Sequence, residues 1–159
     1  MLFTKIFHNA IKYRQRYLSP SLRNVQAFKQ PFILEKGKME YVYDNKNNKY
    51  IDLLSQNSCI SVGHCHPYVV KKAVNQMKKL SHCSSMFHNE LPGLLAKKLV
   101  ETLPEHPSGE DWVVHLVNDG SEAVDLAVQM AKEYTENQKM YALYKGYHGL
   151  QGFAAGLTA

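Results

Sequence analysis

Asn118-Asp119-Gly120-Ser121-Glu122-Ala123 constrains this chain more than any other stretch. Ahead of it runs Trp112-Val113-Val114-His115-Leu116-Val117, a β-branched apolar run of strand length. Behind it Ala123, Leu126, Ala127, Met130, Ala131 and Tyr134 recur at three- and four-residue steps, the stripe of a helix buried on one face. The pattern predicts a buried strand that turns into a helix at Gly120. Such a turn presents backbone N–H groups with no intrahelical partner, at the positive end of the helix dipole. It can seat a phosphate. It can also be an ordinary β–α loop closed by a capping box, with Asp119 as N-cap and Glu122 as the acid three residues on. Spacing alone favours the second reading, and the rest of the chain shifts the balance.

Downstream, Met140-Tyr141-Ala142-Leu143-Tyr144 reads as a further strand. With the strand at 112–117 and the helix at 121–134 it makes a βαβ unit, whose strands should lie parallel in one sheet. Glu122 and Asp125 sit near the helix start, where the dipole favours acids. Lys145-Gly146-Tyr147-His148-Gly149 closes the second strand. Ligands of open α/β sheets bind outside the carboxyl ends of the strands, and Tyr147 and the 118–121 loop occupy two such ends.

Upstream, Pro20 and Pro31 bracket an irregular stretch. Met39 to Tyr43 reads as a strand, Asp44-Asn45-Lys46-Asn47-Asn48 as a turn, and Lys49 to Leu54 as the return strand of a β-hairpin. Pro67 opens a helix with Val70, Ala73, Val74, Met77 and Leu80 inward and Lys71, Lys72, Lys78 and Lys79 on a solvated face. A second helix runs from Glu90 to Leu103, with Leu91, Leu95 and Leu99 stacked, and Pro104, Pro107 and Gly109 end it. Between hairpin and helix lies Gly63-His64-Cys65-His66-Pro67, with Cys59, His82, Cys83 and His88 nearby. These residues raise zinc and then argue against it. Alternate positions of an extended stretch face opposite ways, so Cys65 does not join His64 and His66, and no second ligand pair has characteristic spacing. A polar loop leading into a helix explains the same residues.

At 159 residues the chain has room for one domain with a core, and its 45% hydrophobic and 21% charged residues are an ordinary globular mix. The net charge of +5 is gathered at the front, where no acid precedes Glu35. No aromatic-interleaved basic motif or zinc-finger spacing makes it a nucleic-acid face, and no apolar run approaches a membrane span. Cys59, Cys65 and Cys83, odd in number and without CxxC spacing, read as reduced thiols of an intracellular protein. Over residues 1–18, Phe3, Ile6, Phe7, Ala10 and Ile11 share a helical face from which Lys5, Lys12, Arg14 and Arg16 largely stand apart. This basic, acid-free, amphipathic start is similar to a mitochondrial transit peptide. A surface helix of the mature protein, or one lying on a membrane, fits the same pattern.

Taken in order, these motifs resemble the class III aminotransferases, which depend on pyridoxal phosphate. The resemblance rests on Asn118 to Ala123 followed by Gly146-Tyr147-His148-Gly149, with Tyr43-Asp44, Tyr50-Ile51-Asp52 and Val62 to Pro67 ahead of them. Leu18-Ser19-Pro20, Gly37-Lys38-Met39-Glu40 and Gly156-Leu157-Thr158 look most like the family's alanine–glyoxylate branch. The likeness runs from about Tyr17 to the last residue. It implies an α/β fold, the N-terminal part of a fold type I transferase similar to aspartate aminotransferase, with an incomplete parallel-type sheet and flanking helices. It divides the chain into a possible transit segment (1–18), the beginning of a small domain with the hairpin (19–65) and the start of the large cofactor-binding domain (66–159). It implies phosphate binding by Gly120 and Ser121, stacking of Tyr147 on the pyridine ring, and a local structural role for His148.

Two departures follow. The family usually has Ser or Thr where this chain has Asp119, and a carboxylate about 5 Å from a phosphate costs roughly 3 kcal/mol per unit charge at an effective dielectric near 20. A carboxylate turned away to cap the helix would avoid that cost. The family's cofactor-bearing lysine, and the acid that pairs with the pyridine nitrogen, lie further along than Ala159, and no lysine here sits in the matching context. The resemblance thus implies the N-terminal part of an aminotransferase acting on an amino acid such as alanine and a 2-oxo acid such as glyoxylate, a homodimer when complete, mitochondrial, and inactive as this piece alone. The other reading is a truncated, non-catalytic remnant that serves at most as a dimerisation partner.

Overall fold

The computed structural model describes residues 2–23, 25 and 28–158, with backbone alone for residues 2–8 and 23. The apolar face expected of Phe3, Ile6 and Phe7 therefore lies outside the described side chains. The chain forms two compact units, Met1–His82 and Cys83–Ala159.

The first unit opens with helices α1 (Leu2–Tyr17) and α2 (Pro20–Arg23). An antiparallel sheet follows, β1 (Leu34–Lys38), β2 (Tyr41–Asp44) and β3 (Lys49–Ile51), in the order β1-β2-β3. Gly37 faces Val42, and Val42 faces Tyr50. The expected hairpin is present, but Met39 sits in a left-handed turn (φ 53°) ahead of it. Strand β1 was not foreseen, because Leu34-Glu35-Lys36-Gly37-Lys38 is almost wholly exposed and carries no alternation. The 44–48 turn closes on the Asp44 carboxylate. Its Oδ1 accepts from the N–H groups of Lys46 (2.9 Å) and Asn48 (2.8 Å), and its Oδ2 from Asn48 Nδ2 (2.9 Å) and the Tyr50 hydroxyl (3.1 Å). Burial works to raise the Asp44 carboxyl, but these donors outweigh it and hold the group below its ordinary value. Burial and the bond to Asp44 push the Tyr50 hydroxyl up.

His64 ties this sheet to the next segment. Its N–H donates to Met39 O (2.7 Å), and the Met39 N–H donates to His64 O (2.6 Å). Its ring lies over Gly37, where a Cβ would fall 2.6 Å from the ring carbon Cγ. His64 Nε2 meets Asp52 Oδ2 at 2.7 Å. That bond is the chief reason the Asp52 carboxyl lies below its ordinary value, against the opposing pull of burial. Asp52 Oδ1 also accepts from the N–H groups of Leu54 and Ser55, at the entry to α3 (Ser55–Ser58), a single turn whose residues all have positive φ. Pro67 opens α4 (Pro67–Lys79), with His66 as its N-cap residue. His64 thus serves Asp52, His66 is the N-cap residue of α4 with a buried Nδ1 that lacks a hydrogen-bond partner among the described residues, and Cys65 is exposed.

The second unit holds α5 (Glu90–Val100), α6 (Gly120–Thr135) and α7 (Gly152–Leu157). The Asn89 side chain caps α5 by accepting from the Leu91 N–H at 2.9 Å. Helix α5 stops at Val100 rather than Leu103, because Thr102 and Leu103 turn back on the carbonyls of Leu99 and Val100 three residues behind. Helix α6 falls where the apolar stripe placed it.

The strands expected at 112–117 and 140–144 are absent, and the parallel βαβ pairing with them. A strand is held by its ladder, and strand propensity records how well a side chain fits a half-buried pleated surface. No described residue offers these segments a neighbouring strand. Trp112 is instead drawn onto the 104–108 turn, its indole N–H donating to Pro104 O (2.8 Å) and its ring edge-on to His106 (4.4 Å). Val113, Leu116, Val117, Tyr141, Leu143 and Tyr144 are exposed. The substantial core expected from chain length is absent too. Among the described residues only Val42, Val128 and Ala154 are buried apolar groups, while the leucines of α5 and the inward-reading face of α4 remain open to solvent. An amphipathic helix gains stability from its stripe only when something packs on it. Among the described residues, no helix is long and apolar enough to cross a membrane.

Candidate functional site

The start of α6 carries the capping pair that the sequence offered. Asp119, extended at φ −150° and ψ 174°, is the N-cap, and its Oδ1 accepts from the Glu122 N–H at 2.9 Å. Glu122 reaches back so that its Oε2 accepts from the Asn118 N–H (2.9 Å) and Asn118 Nδ2 (3.2 Å). This is a capping box whose returning acid lands one residue earlier than usual. It occupies the third N–H of the helix. Those of Gly120 and Ser121 make no hydrogen bond among the described residues. A Cβ built on Gly120 would meet nothing within 4 Å, so a side chain has room there.

Ser121, Asp125 and Val128 lie on one face of α6 at four- and three-residue steps. The face receives the chain from Gly149 to α7. Ser121 Oγ accepts from the Leu150 N–H (3.3 Å), and Asp125 Oδ1 accepts from the Ala154 N–H (2.7 Å). Gly149 is buried at φ +133°, and a Cβ there would fall 2.6 Å from Ser121 Oγ and 2.9 Å from Ala154 Cβ. Only glycine allows so close an approach at that backbone angle. Thr158 secures the loop from behind, where its Oγ1 accepts from the His148 N–H (3.0 Å) and donates to Gly149 O (2.7 Å).

The structure thus brings the loop that contains Tyr147 and His148 onto the helix start that carries Gly120 and Ser121. Tyr147 is 71% exposed. His148 is half-buried with Nε2 lacking a hydrogen-bond partner, packed where a Cβ on Gly146 would stand 2.7 Å away. Asp125 and Thr158 were missed as holders of this loop. The spacing of Ser121 and Asp125 was visible in the sequence, but nothing marked the Thr158 hydroxyl. The donor set suits the phosphate end of a cofactor: two N–H groups at a helix start without a hydrogen-bond partner among the described residues, with the exposed Tyr147 on the loop that packs against that helix. The Asp119 and Glu122 carboxylates stand at the same helix end and oppose an anion there.

A family model described as Aminotransferase class-III matches residues 23–159. The mitochondrial alanine–glyoxylate aminotransferase 2 homolog 2 of Arabidopsis thaliana is 35% identical over 145 residues, which is 91% of this chain and 29% of that protein. The mitochondrial alanine–glyoxylate aminotransferase 2 of Homo sapiens is 34% identical over 152 residues, 96% of this chain and 28% of that one. Among solved structures, the omega transaminase from Pseudomonas jessenii in complex with PMP superposes with a TM-score of 0.75 at 28% identity, covering 92% of this chain and 34% of that one. An adenosylmethionine-8-amino-7-oxononanoate aminotransferase from Methanocaldococcus jannaschii gives 0.74 at 28% identity, over 96% and 36%. The chain spans under a third of the length of the two curated relatives.

Proposed function

The chain belongs to the class-III aminotransferases, and we propose on that premise that it is the N-terminal part of an enzyme moving an amino group from an amino acid such as alanine to a 2-oxo acid such as glyoxylate. Its relatives are transaminases, and the structures it matches are of fold type I. Support for the substrate pair comes from relatives named for alanine and glyoxylate. We place residues 19–65 in the small domain, 66–159 at the start of the cofactor-binding domain, and the complete protein in the mitochondrion as a homodimer.

Pyridoxal phosphate is the family's cofactor, and when bound it supplies the electron sink that lets an amino group leave one carbon for another. In this reading the N–H groups of Gly120 and Ser121 hold its phosphate, Tyr147 lies on its ring, and His148 supports the loop. Asp119 spends its carboxylate on the Glu122 N–H and so leaves those two donors free. The observation that carries the proposal is the seating of Gly149 on Ser121, which joins the stacking loop to the phosphate loop.

The chain has no lysine in the context of covalent cofactor attachment. The test is absorbance of the purified chain with pyridoxal phosphate, followed by borohydride reduction and peptide mapping. Weak binding with scattered lysine labelling is expected. One lysine labelled stoichiometrically, together with alanine-to-glyoxylate turnover, would overturn the fragment reading. A second reading, a non-catalytic partner for a longer relative, is favoured by the exposed apolar residues at 113–117 and 141–144.

A further inference from the structure

We propose that α1, from Ala10 onward, stays in the folded first unit after import, clamped by Arg14, so that proteolytic maturation stops short of it. Arg14 Nη2 donates to the carbonyl of Leu22 and to that of Val25, the latter at 3.0 Å. One guanidinium thereby ties α1 to backbone 8 and 11 residues further on. A groove of about 800 Å³ runs beside this clamp, walled on one side by Tyr13 and Tyr17 and on the other by Phe28, Phe32 and Ile33. Phe28 packs on Phe32 (5.4 Å between ring centres), and Phe32 meets Tyr50 of β3 edge-on (5.0 Å). The ring contacts run from Phe28 to the sheet, and residues of α1 line the same groove. Cutting after Tyr17 would remove one wall of the groove and the donor for both carbonyls.

The match to the human relative supplies an independent observation. It covers 152 of 159 residues and leaves seven outside, so Ala10 to Tyr17 fall within the shared segment. A transit peptide is discarded and needs no tertiary bonds of its own.

The proposal rests on the mitochondrial reading only for the word import. The test is import of the radiolabelled full chain into isolated mitochondria, with the N-terminus of the protease-protected product read by mass spectrometry. A product that retains Ala10 and Arg14 is expected, and a terminus anywhere after Ala10 overturns the proposal. If no product is protected, the mitochondrial reading fails, and hydrogen exchange of the purified full chain then decides retention. In that arm the amides of residues 14–18 should be protected. Arg14→Gln should speed their exchange about tenfold, the low end for loss of a hydrogen bond to a charged group, and leave residues 41–51 unchanged. Exchange of α1 at free-peptide rates in the unsubstituted chain overturns the proposal.

Discussion

Ser121 and Gly149 are packed so closely that a methyl group on the glycine would lie 2.6 Å from the serine hydroxyl oxygen. Two stretches 28 residues apart in sequence are joined there, the first reading as a phosphate loop and the second carrying Tyr147. Their approach depends on one residue without a side chain.

Gly149→Ala should therefore loosen the second unit. The backbone angle of +133° and the clash with Ser121 and Ala154 act together, and a loss of about 2 kcal/mol is expected from overpacking at such a contact. Denaturant unfolding of the full chain gives the value. A loss under about 0.5 kcal/mol, the scale of a neutral surface change, would show that the loop is not held on α6.

Asp119→Ser separates cap from charge. Serine caps about as well as aspartate, so stability should fall by less than about 1 kcal/mol. In a longer chain that carries the cofactor lysine, removing the carboxylate should tighten pyridoxal phosphate binding, with an upper bound of about 3 kcal/mol per unit charge. Fluorescence titration measures it. Unchanged affinity would mean that the carboxylate, engaged with the Glu122 N–H, does not act on the phosphate.

The first unit should lose stability in acid. Asp52 and Asp44 both titrate below the ordinary 3.8 in the folded chain. Each therefore contributes stability that is fully present above about pH 5 and is lost as the pH falls through the lowered folded values. Asp52→Asn should remove the Asp52 share and flatten the acid limb of a stability–pH curve. An identical curve for the variant would show that the His64 bond does not select the ionised form.

A reporter fused to residues 1–24 should enter mitochondria, because the segment is basic, free of acids and helical through Tyr17. Fluorescence microscopy reads the outcome, and a cytosolic reporter removes the targeting claim.

Local rules served well where the cause of structure is local. Helices α4 and α6, the Asp44 turn and the Asp119–Glu122 capping pair were all legible, since each is set by residues within a few positions. The chain near the site was legible only in part. The helix start at Gly120 and Ser121 could be picked out, but the hold of Thr158 on the facing loop could not, because a hydroxyl that reaches back to His148 leaves no periodic trace. The runs at 112–117 and 140–144 misled for the opposite reason. Their composition suits a strand, yet a strand also needs a partner, and composition does not record whether one is there.

The sheet of the first unit has a kinetic consequence. Its strands are consecutive, and the turn between β2 and β3 closes through Asp44 and Asn48, only four residues apart. The second unit is joined by Ser121 to Leu150 and Asp125 to Ala154, each 29 residues apart. Closing a short loop forfeits less chain entropy than closing a long one, and local contacts form sooner. The three strands should accordingly gain their bonds before α7 docks on α6, so the loop bearing Tyr147 is the last part of the chain to find its place.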